Sequence, residues 1–259
     1  MNRIEKAFKD GKAFIPFITA GDPSLDKTED YIIEMVKAGA DIVEIGIPFS
    51  DPIAEGNVIQ EADIRALASG TTTDKIFDMV VSLRGKTDVP LIFMTYLNPV
   101  FHYGYDRFFG RCQETGIDGI IIPDVPFEEK KEITESAGRY GITVISMIAP
   151  TSESRIQAIA SEAEGFIYVV SSMGVTGVRS EINTDLNAIL SSIKAVTKVP
   201  AAVGFGINTP KQAADIAQTA DGVIVGSAIV KMIAQYGRHA EHHIYTYVRL
   251  MKEAISKIQ

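Results

Sequence analysis

Short runs of β-branched and aromatic residues recur along the chain, separated by stretches of helical period, and this alternation constrains the fold most strongly. Each run is nearly continuous in apolar residues, which predicts a strand buried on both faces, as in a parallel sheet covered by helices. Regular alternation of such strands with helices is typical of α/β proteins. The eight runs are AFIPFIT, DIVEIGI, PLIFMTY, DGIIIPD, ITVISMI, GFIYVVS, PAAVGFG and DGVIVGS.

The stretches between the runs predict helices, because their apolar residues recur at helical spacing. Gly39, Gly116 and Gly141 follow three of these stretches, at the position where a left-handed residue ends a helix. The last stretch, EHHIYTYVRLMKEAISKI, predicts a closing amphipathic helix. The other candidates are KTEDYIIEMVKAG, DKIFDMVVSLRG, FEEKKEITESAGRYG, ESRIQAIASEAEG and PKQAADIAQTA.

About eight strand–helix units, with no composition break or linker between them, fit a closed (β/α)8 TIM barrel. The 259 residues match the usual length of one such barrel, so we expect a single TIM-barrel domain over residues 1–259. The runs alone leave an open, doubly wound α/β sheet as an alternative. No Gly-x-Gly-x-x-Gly motif opens the first helix, so a dinucleotide-binding fold has no support.

The charge and cysteine content exclude several classes of function. A formal net charge of −8 offers no long-range attraction to nucleic acid or to an anionic membrane. Cys112 is the only cysteine, which excludes an intramolecular disulfide and a Cys-rich metal site. The charged N-terminal segment lacks the apolar centre of a signal peptide, and no apolar run approaches the ~20 residues of a membrane span. We therefore expect a soluble, cytoplasmic protein.

In a TIM barrel the chemistry belongs at the carboxyl ends of the strands. The segment EIGIPFSDPIAEGNVIQ, residues 44–60, follows the second run and carries the carboxylates Glu44, Asp51 and Glu55. Burial among Ile and Val would raise the pKa of Glu44 toward the value that general acid/base catalysis needs. The alternative for Glu44 is a buried carboxylate neutralised by a neighbouring Arg or Lys. For Asp51-Pro52 and Glu55 the alternative is a turn with an exposed tip.

Two further regions are candidates for substrate contacts. The segment SSMGVTGVRSE, residues 171–181, follows the sixth run and predicts either a lid that excludes water or an ordinary mobile loop. The segments GFGIN (204–208) and VGSAIV (225–230) follow the last two runs. Glycine loops at these two places commonly bind phosphate through backbone N–H groups, and Ser227 can add a hydroxyl donor. We therefore predict a phosphate site there in preference to simple tight turns.

The motifs together resemble those of the tryptophan synthase alpha chain family, in the same order and over nearly the whole length. The motifs EIGIPFSDPIAEGNVIQ and FIYVVSSMGVTG are highly specific, whereas other phosphate-binding barrels share only GFGI and GVIVGSAIV. The motifs are FITAGDP, EIGIPFSDPIAEGNVIQ, MTYLNPVF, IIPDVPFEE, FIYVVSSMGVTG, GFGI and GVIVGSAIV.

The resemblance implies a lyase that cleaves indole-3-glycerol phosphate to indole and glyceraldehyde 3-phosphate by a retro-aldol reaction. Glu44 falls on the family's acid/base, Glu55 on the carboxylate that interacts with the indole N–H, and Tyr168 on a tyrosine beside the acid. The family usually has Asp in a DPLADGP-like context, whereas this chain has Glu55 and Asn57. Because a misplacement of ~1 Å can cost about 100-fold in rate, this departure bears on catalysis more than on fold.

The resemblance also implies two sets of substrate contacts and a lid. Thr176 matches the lid threonine that meets Asp51 when the loop closes. The apolar slot for the indole ring would consist of Phe17, Met94, Ile121 and Ile224. The phosphate would lie on Gly177, Phe205, Gly206, Gly226 and Ser227.

The family forms an α2β2 heterotetramer in which indole passes to a β subunit that holds pyridoxal phosphate. No pyridoxal-phosphate site is identifiable in this sequence, so we assign the cofactor to the partner and expect none in this chain. We expect no metal either, because the four histidines have no metal-like spacing. Residues that match the partner-facing stretches are Asp51, Pro52, Asn98, Asp124 and Pro126.

Two other functions stay open at this point. The Glu55 and Asn57 departures allow a catalytically weak subunit that binds the phosphate ligand and activates a β chain. The glycine loops alone would also fit another phosphosugar barrel, such as an isomerase or epimerase, which leaves the segment 44–60 unexplained.

Overall fold

The structure is a computed structural model that describes residues 2–171, 186–204 and 206–258. In this part the chain forms nine strands, all parallel to their neighbours. The strands are β1 Ala13–Thr19, β2 Val43–Gly46, β3 Leu91–Met94, β4 Gly119–Ile121, β5 Thr143–Val144, β6 Ser146–Ile148, β7 Ile167–Val170, β8 Ala201–Gly204 and β9 Gly222–Val225. Their order in the sheet is β5-β4-β3-β2-β1-β9-β8-β7-β6.

The sheet closes through the predicted run ITVISMI. Only Ile145 separates β5 from β6, so both edges of the sheet belong to the same short stretch of chain. The Ile145 amide donates to the Ile120 carbonyl at 2.9 Å, which continues the pairing of this stretch with β4. Each of the eight predicted runs therefore occupies one strand position of the barrel, and the run ITVISMI supplies both β5 and β6. The TIM barrel is confirmed, and the open sheet is wrong.

Helices follow the strands and surround the barrel. The glycine predictions are confirmed, since Gly39, Gly116 and Gly141 have φ of +104°, +82° and +70°. In the described ranges the α-helices are α1 Arg3–Ala7, α2 Leu25–Lys37, α3 Asn57–Ala68, α4 Thr73–Arg84, α5 Leu97–Tyr103, α6 Tyr105–Thr115, α7 Lys130–Arg139, α8 Glu153–Ser161, α9 Leu186–Lys194, α10 Pro210–Ala217, α11 Ser227–Tyr236 and α12 Glu241–Ile255. None of them is both long and apolar enough to cross a membrane.

Alternate residues along the strands divide the apolar core into two layers. Outward-facing residues such as Phe14, Val43 and Phe93 pack with the helices. Inward-facing residues form a second cluster inside the barrel, and Ile4 of α1 belongs to it. The strand members of this inner cluster are Ala13, Ile15, Phe17, Ile92, Met94, Ile121, Tyr168, Val170, Ala202 and Ile224.

Candidate active site

Glu44 lies inside the barrel as a buried acid. Ile42 belongs to the inner cluster, whereas Val43, Ile45 and Ile47 belong to the outer one, and strand alternation therefore turns Glu44 inward. The residue is 1% exposed, and neither carboxyl oxygen has a hydrogen-bond partner among the described residues. Burial alone raises the pKa of Glu44 to about 8. In this part of the chain no Arg or Lys neutralises it, so the alternative of a satisfied structural glutamate is wrong.

Tyr168, on β7, faces the same interior and is 5% exposed. Burial raises the pKa of its hydroxyl, and the negative charge of Glu44 raises it further. The two groups therefore lie close enough to interact across the barrel. Gly204, on the neighbouring strand β8, leaves room for the phenol ring, since a Cβ there would lie 2.4 Å from the Tyr168 hydroxyl. The structure therefore places Tyr168 and Glu44 on the inner face of the barrel, and the role of Tyr168 beside the acid stays a prediction.

The four residues predicted to form an apolar slot share one cluster. Phe17, Met94, Ile121 and Ile224 all face the barrel interior, on four different strands. The Phe17 ring is confined by two glycines. A Cβ on Gly46 would lie 2.6 Å from Phe17 Cζ, and one on Gly226 would lie 3.2 Å from Phe17 Cδ1. The barrel thus provides an apolar wall directly beside Glu44, whose register partner on β1 is Phe17.

Because the Phe17 ring has no free space, we predict that Gly46→Ala destabilises the fold. Overpacking of a filled core costs about 1–3 kcal/mol, and urea unfolding should give a loss in that range. Gly138→Ala is the matched control, since a Cβ at Gly138 meets nothing within 4 Å and the glycine lies in α7. The control should be neutral or more stable, because Ala favours helix over Gly. Equal stability of the two variants would contradict the packing around Phe17.

The candidate phosphate site lies at the ends of β8 and β9. Gly226 occupies the position just before α11, and Ser227 is the first residue of that ten-residue helix. A helix N-terminus presents free backbone N–H groups to an anion. Gly206 has φ of +82°, which favours glycine, and its carbonyl accepts a hydrogen bond of 3.1 Å from the Asn208 side chain. The predicted Thr176, Gly177 and Phe205 lie outside the described residues.

Glu55 is buried rather than an exposed loop tip, so the alternative of a solvated position is wrong. It is 8% exposed, and its side chain hydrogen-bonds to Asp63 of α3 and to the Tyr96 hydroxyl. Burial raises the pKa of both carboxyl groups, and the charge of Glu55 raises that of Asp63 further. Glu55 Oε2 has no partner among the described residues. A second acidic centre therefore follows β2, on the loop that leads into α3.

The residues predicted to face a partner lie in the segments that follow β2, β3 and β4, with Asn98 in the first turn of α5. Asp51, Asn98 and Pro126 are exposed, and Pro52 is half-buried. Asp124 is also half-buried, and its carboxylate accepts hydrogen bonds of 2.9 and 3.2 Å from the Leu97 amide at the start of α5. Asp124 therefore also has a structural role that the sequence did not reveal.

Two contacts join the loop after β2 to the loop after β3. The Ala54 amide donates to the Tyr96 hydroxyl at 3.0 Å, and the Phe49 and Tyr96 rings lie 5.6 Å apart. Ile53, on the first of these loops, is 73% exposed, and Phe101, in α5, is 65% exposed. Two large apolar side chains are thus exposed in the segments that follow β2 and β3, as at many protein–protein contacts.

Sequence reasoning missed two groups of polar residues near the site. Asp63 and Tyr96 contact Glu55, and Arg65 forms a two-pronged ion pair with the buried Asp22, with N–O distances of 2.9 and 2.8 Å. One signal for Asp63 was available, because it shares the buried face of α3 with apolar residues. An acidic residue in such a stripe needs a partner. The apolar residues of that face are Ile59, Ala62 and Ala66.

The geometry defines a class of protein, a parallel TIM barrel with buried acids at the ends of its strands and a helix N-terminus suited to an anion. The chain belongs to the tryptophan synthase alpha chain family, whose model matches residues 4–257. The resemblance found in the sequence is thereby confirmed, and with it the place of the chain among the alpha chains of tryptophan biosynthesis.

Individual relatives agree in sequence and in structure. The tryptophan synthase alpha chain of Lacticaseibacillus casei is 49% identical over 255 residues, which cover 98% of this chain and 96% of the relative. The crystal structure of the alpha chain from Legionella pneumophila aligns with a TM-score of 0.89 at 38% identity. The alignment covers 100% of this chain and 98% of the Legionella chain. A structure from Pyrococcus furiosus aligns with a TM-score of 0.87 at 36% identity, over 95% of this chain and 99% of that chain. It is described as the structural basis of mutual activation of the tryptophan synthase α2β2 complex.

Proposed function

We propose that the chain is a carbon–carbon lyase that cleaves indole-3-glycerol phosphate to indole and glyceraldehyde 3-phosphate. The observation that carries the proposal is Glu44, an acid inside the barrel. Burial raises the pKa of this carboxyl group to about 8. Such an acid is protonated at neutral pH and can still lose its proton, which suits a group that must both deliver a proton and accept one. Family membership supports the same reaction.

Glu44 supplies the proton that the bond cleavage requires. In its acid form it protonates C3 of the indole ring, and the resulting carboxylate takes the proton of the glycerol hydroxyl next to the scissile bond. The hydroxyl carbon becomes the aldehyde carbon, and the electron pair of the broken C–C bond returns to the ring. Glu44 thereby regains its proton within one cycle. Tyr168 faces the same interior and would help to exclude water from Glu44.

Protonation at C3 places positive charge on the indole nitrogen, and Glu55 is the group that stabilises it. Its Oε2 is buried and has no partner among the described residues, so it can accept a hydrogen bond from the N–H. A carboxylate in a poorly solvated site stabilises such a charge more strongly than it would in water. The flat ring would pack against Phe17, Met94 and the other inward-facing apolar residues.

The phosphate of the substrate would bind at Gly206, Gly226 and Ser227, where the N-terminus of α11 favours an anion. Gly177 and Phe205 would complete this cradle. Thr176 would meet Asp51 when the segment 171–181 closes over the ligand. These roles rest on the match between the motifs of this chain and those of the family.

We further propose a tryptophan synthase β chain as the partner, in an α2β2 assembly like that described for the Pyrococcus furiosus protein. The contact surface would include Asp51, Pro52, Asn98, Asp124 and Pro126, with Ile53 and Phe101 as apolar anchors. Pyridoxal phosphate is assigned to that partner, and the alpha chain uses its own acids alone. The location would be cytoplasmic, as for soluble biosynthetic enzymes.

An indole-release assay tests the proposal. Purified protein is incubated with indole-3-glycerol phosphate, alone and with a β chain from a close relative, and indole is quantified. We expect release by the protein alone and faster release with β. No release in either condition would overturn the lyase function and leave the weak, activating subunit as the better description. That alternative would still raise the turnover of the β chain.

A further inference from the structure

The acidic cluster around Glu55 contains one carboxyl group more than the proposed reaction uses. Asp63 contacts Glu55 from α3, eight residues further along the chain, and is 5% exposed. The backbone on both sides of Glu55 is fixed. The Ala54 amide donates to the Tyr96 hydroxyl at 3.0 Å, and the Gln60 side chain donates to the Glu55 carbonyl at 2.7 Å. The contact between the two acids is therefore part of an ordered arrangement.

No cation neutralises this pair within the described ranges. Arg65 is the cationic side chain nearest in sequence on α3, and its guanidinium is committed to both oxygens of the buried Asp22. Asp22 adds negative charge near Asp63. The remaining polar neighbours are the Tyr96 hydroxyl and the Phe49 amide, which are neutral donors. Two buried carboxylates in contact cannot both be charged without a cation, so the pair must hold a proton.

We propose that Asp63 is a positioning residue for Glu55, in which the two carboxyl groups share one proton that resides on Asp63 and is donated to Glu55. The inference rests on the proposed function, because its purpose is to keep Glu55 charged and correctly oriented for the N–H of the substrate. Asp63 acts through Glu55 and does not itself contact the ligand.

The arrangement explains how the chain uses Glu at a position where the family usually has Asp. The pKa of Asp63 is raised by burial first and by the charge of Glu55 second, which favours the protonated form of Asp63 at neutral pH. The Tyr96 hydroxyl donates to the same glutamate. Two donors then hold one side of the Glu55 carboxylate, while the buried Oε2 is left for a ligand. The longer side chain is thus held in place instead of sampling several rotamers.

Two substitutions of Asp63 distinguish the loss of a hydrogen-bond donor from a change in packing. Asp63→Asn keeps the shape and supplies an amide N–H to Glu55, so kcat/KM for indole release should stay within about threefold of the wild type. Asp63→Leu fills a comparable volume without a donor, and we expect at least a tenfold loss in kcat/KM, with a Tm no lower than that of the wild type. Glu61→Gln, on the exposed side of the same helix, is the control for loss of a negative charge and should have no effect.

The pH dependence of stability provides a readout that does not require activity. A carboxyl group with a raised folded-state pKa contributes stability at low pH, and this contribution is lost as pH rises from the unfolded value of about 4 through the folded pKa. The wild type should therefore lose stability relative to Asp63→Asn as pH rises from 4 to 8, as measured by urea unfolding. Glu61→Gln should run parallel to the wild type over the same range.

Each result decides between the possibilities. Equal losses of activity in Asp63→Asn and Asp63→Leu, or full activity in Asp63→Leu, would overturn the positioning role. Parallel pH profiles of stability for the wild type and Asp63→Asn would overturn the shared proton. If the wild type releases no indole, the proposed function fails, while the stability profiles still test the proton on Asp63.

Discussion

Glu44→Gln is expected to reduce indole release about 1,000-fold, because an amide keeps the shape of the side chain but cannot transfer a proton. The substituted side chain occupies the same place between Phe17 and Ile92, its register partners on β1 and β3. Substrate binding should therefore change little, and the loss should fall on kcat. A Glu44→Gln variant that keeps more than a tenth of the wild-type kcat would contradict the acid/base role. Glu135→Gln, exposed on α7, is the matched control.

The same substitution should change the pH dependence of stability in a defined direction. The pKa of Glu44 is about 8 in the folded protein and about 4.3 in the unfolded chain, so wild-type stability declines as pH rises between these values. Glu44→Gln removes this decline. The variant should be more stable than the wild type at pH 8 by an amount on the order of 5 kcal/mol, and nearly equal to it at pH 4. Urea unfolding at both pH values measures the difference.

The activity of the wild type should also fall at alkaline pH, because Glu44 loses its proton there. In the proposed cycle Glu44 begins as an acid, and kcat/KM should therefore fall as pH rises through about 8. A rate that stays constant from pH 7 to pH 10 would mean that another group delivers the proton.

The barrel and its central acid could be predicted because both follow from local patterns. Eight apolar runs of strand length predict a parallel sheet, and the chain length together with the absence of a linker favours its closure into a barrel; the position of Glu44 among Ile and Val at the end of one run predicts its burial. Strand alternation then places Phe17 and Tyr168 on the same side as Glu44. These predictions need only the period of a strand and the topology of the fold.

The contacts of the second acidic centre could not be predicted, because they join separate elements of the fold. Asp63 on α3 and Tyr96 after β3 meet Glu55 only when the barrel has closed. From the sequence alone, Glu55 could be a solvated loop tip, and Asp124 could be a free surface carboxylate. In the structure Asp124 accepts a hydrogen bond from the Leu97 amide instead. Such contacts between residues on different elements determine the roles of polar side chains, and the periodicity of the sequence does not predict them.

Glu55→Asp is expected to lower kcat/KM about 100-fold, although it introduces the residue that the resemblance to the family implies at this position. The shorter side chain withdraws the carboxylate by one methylene, and a shift of about 1 Å is enough for such a loss. It also separates the carboxylate from Asp63 and Tyr96, which contact Glu55 in this chain. An indole-release assay measures the effect, with Glu61→Asp on the exposed side of α3 as the control.

The opposite outcome has an equally clear meaning. If Glu55 were a defect that left the chain a weak, activating subunit, Glu55→Asp would raise turnover. An unchanged or higher kcat/KM would therefore contradict the adapted role of Glu55. The double variant Glu55→Asp/Asp63→Asn adds a second test, because residues that act as one unit give non-additive losses. Its loss should be close to that of Glu55→Asp alone, since Asp63 has no purpose in the reaction once the carboxylate that it positions has moved.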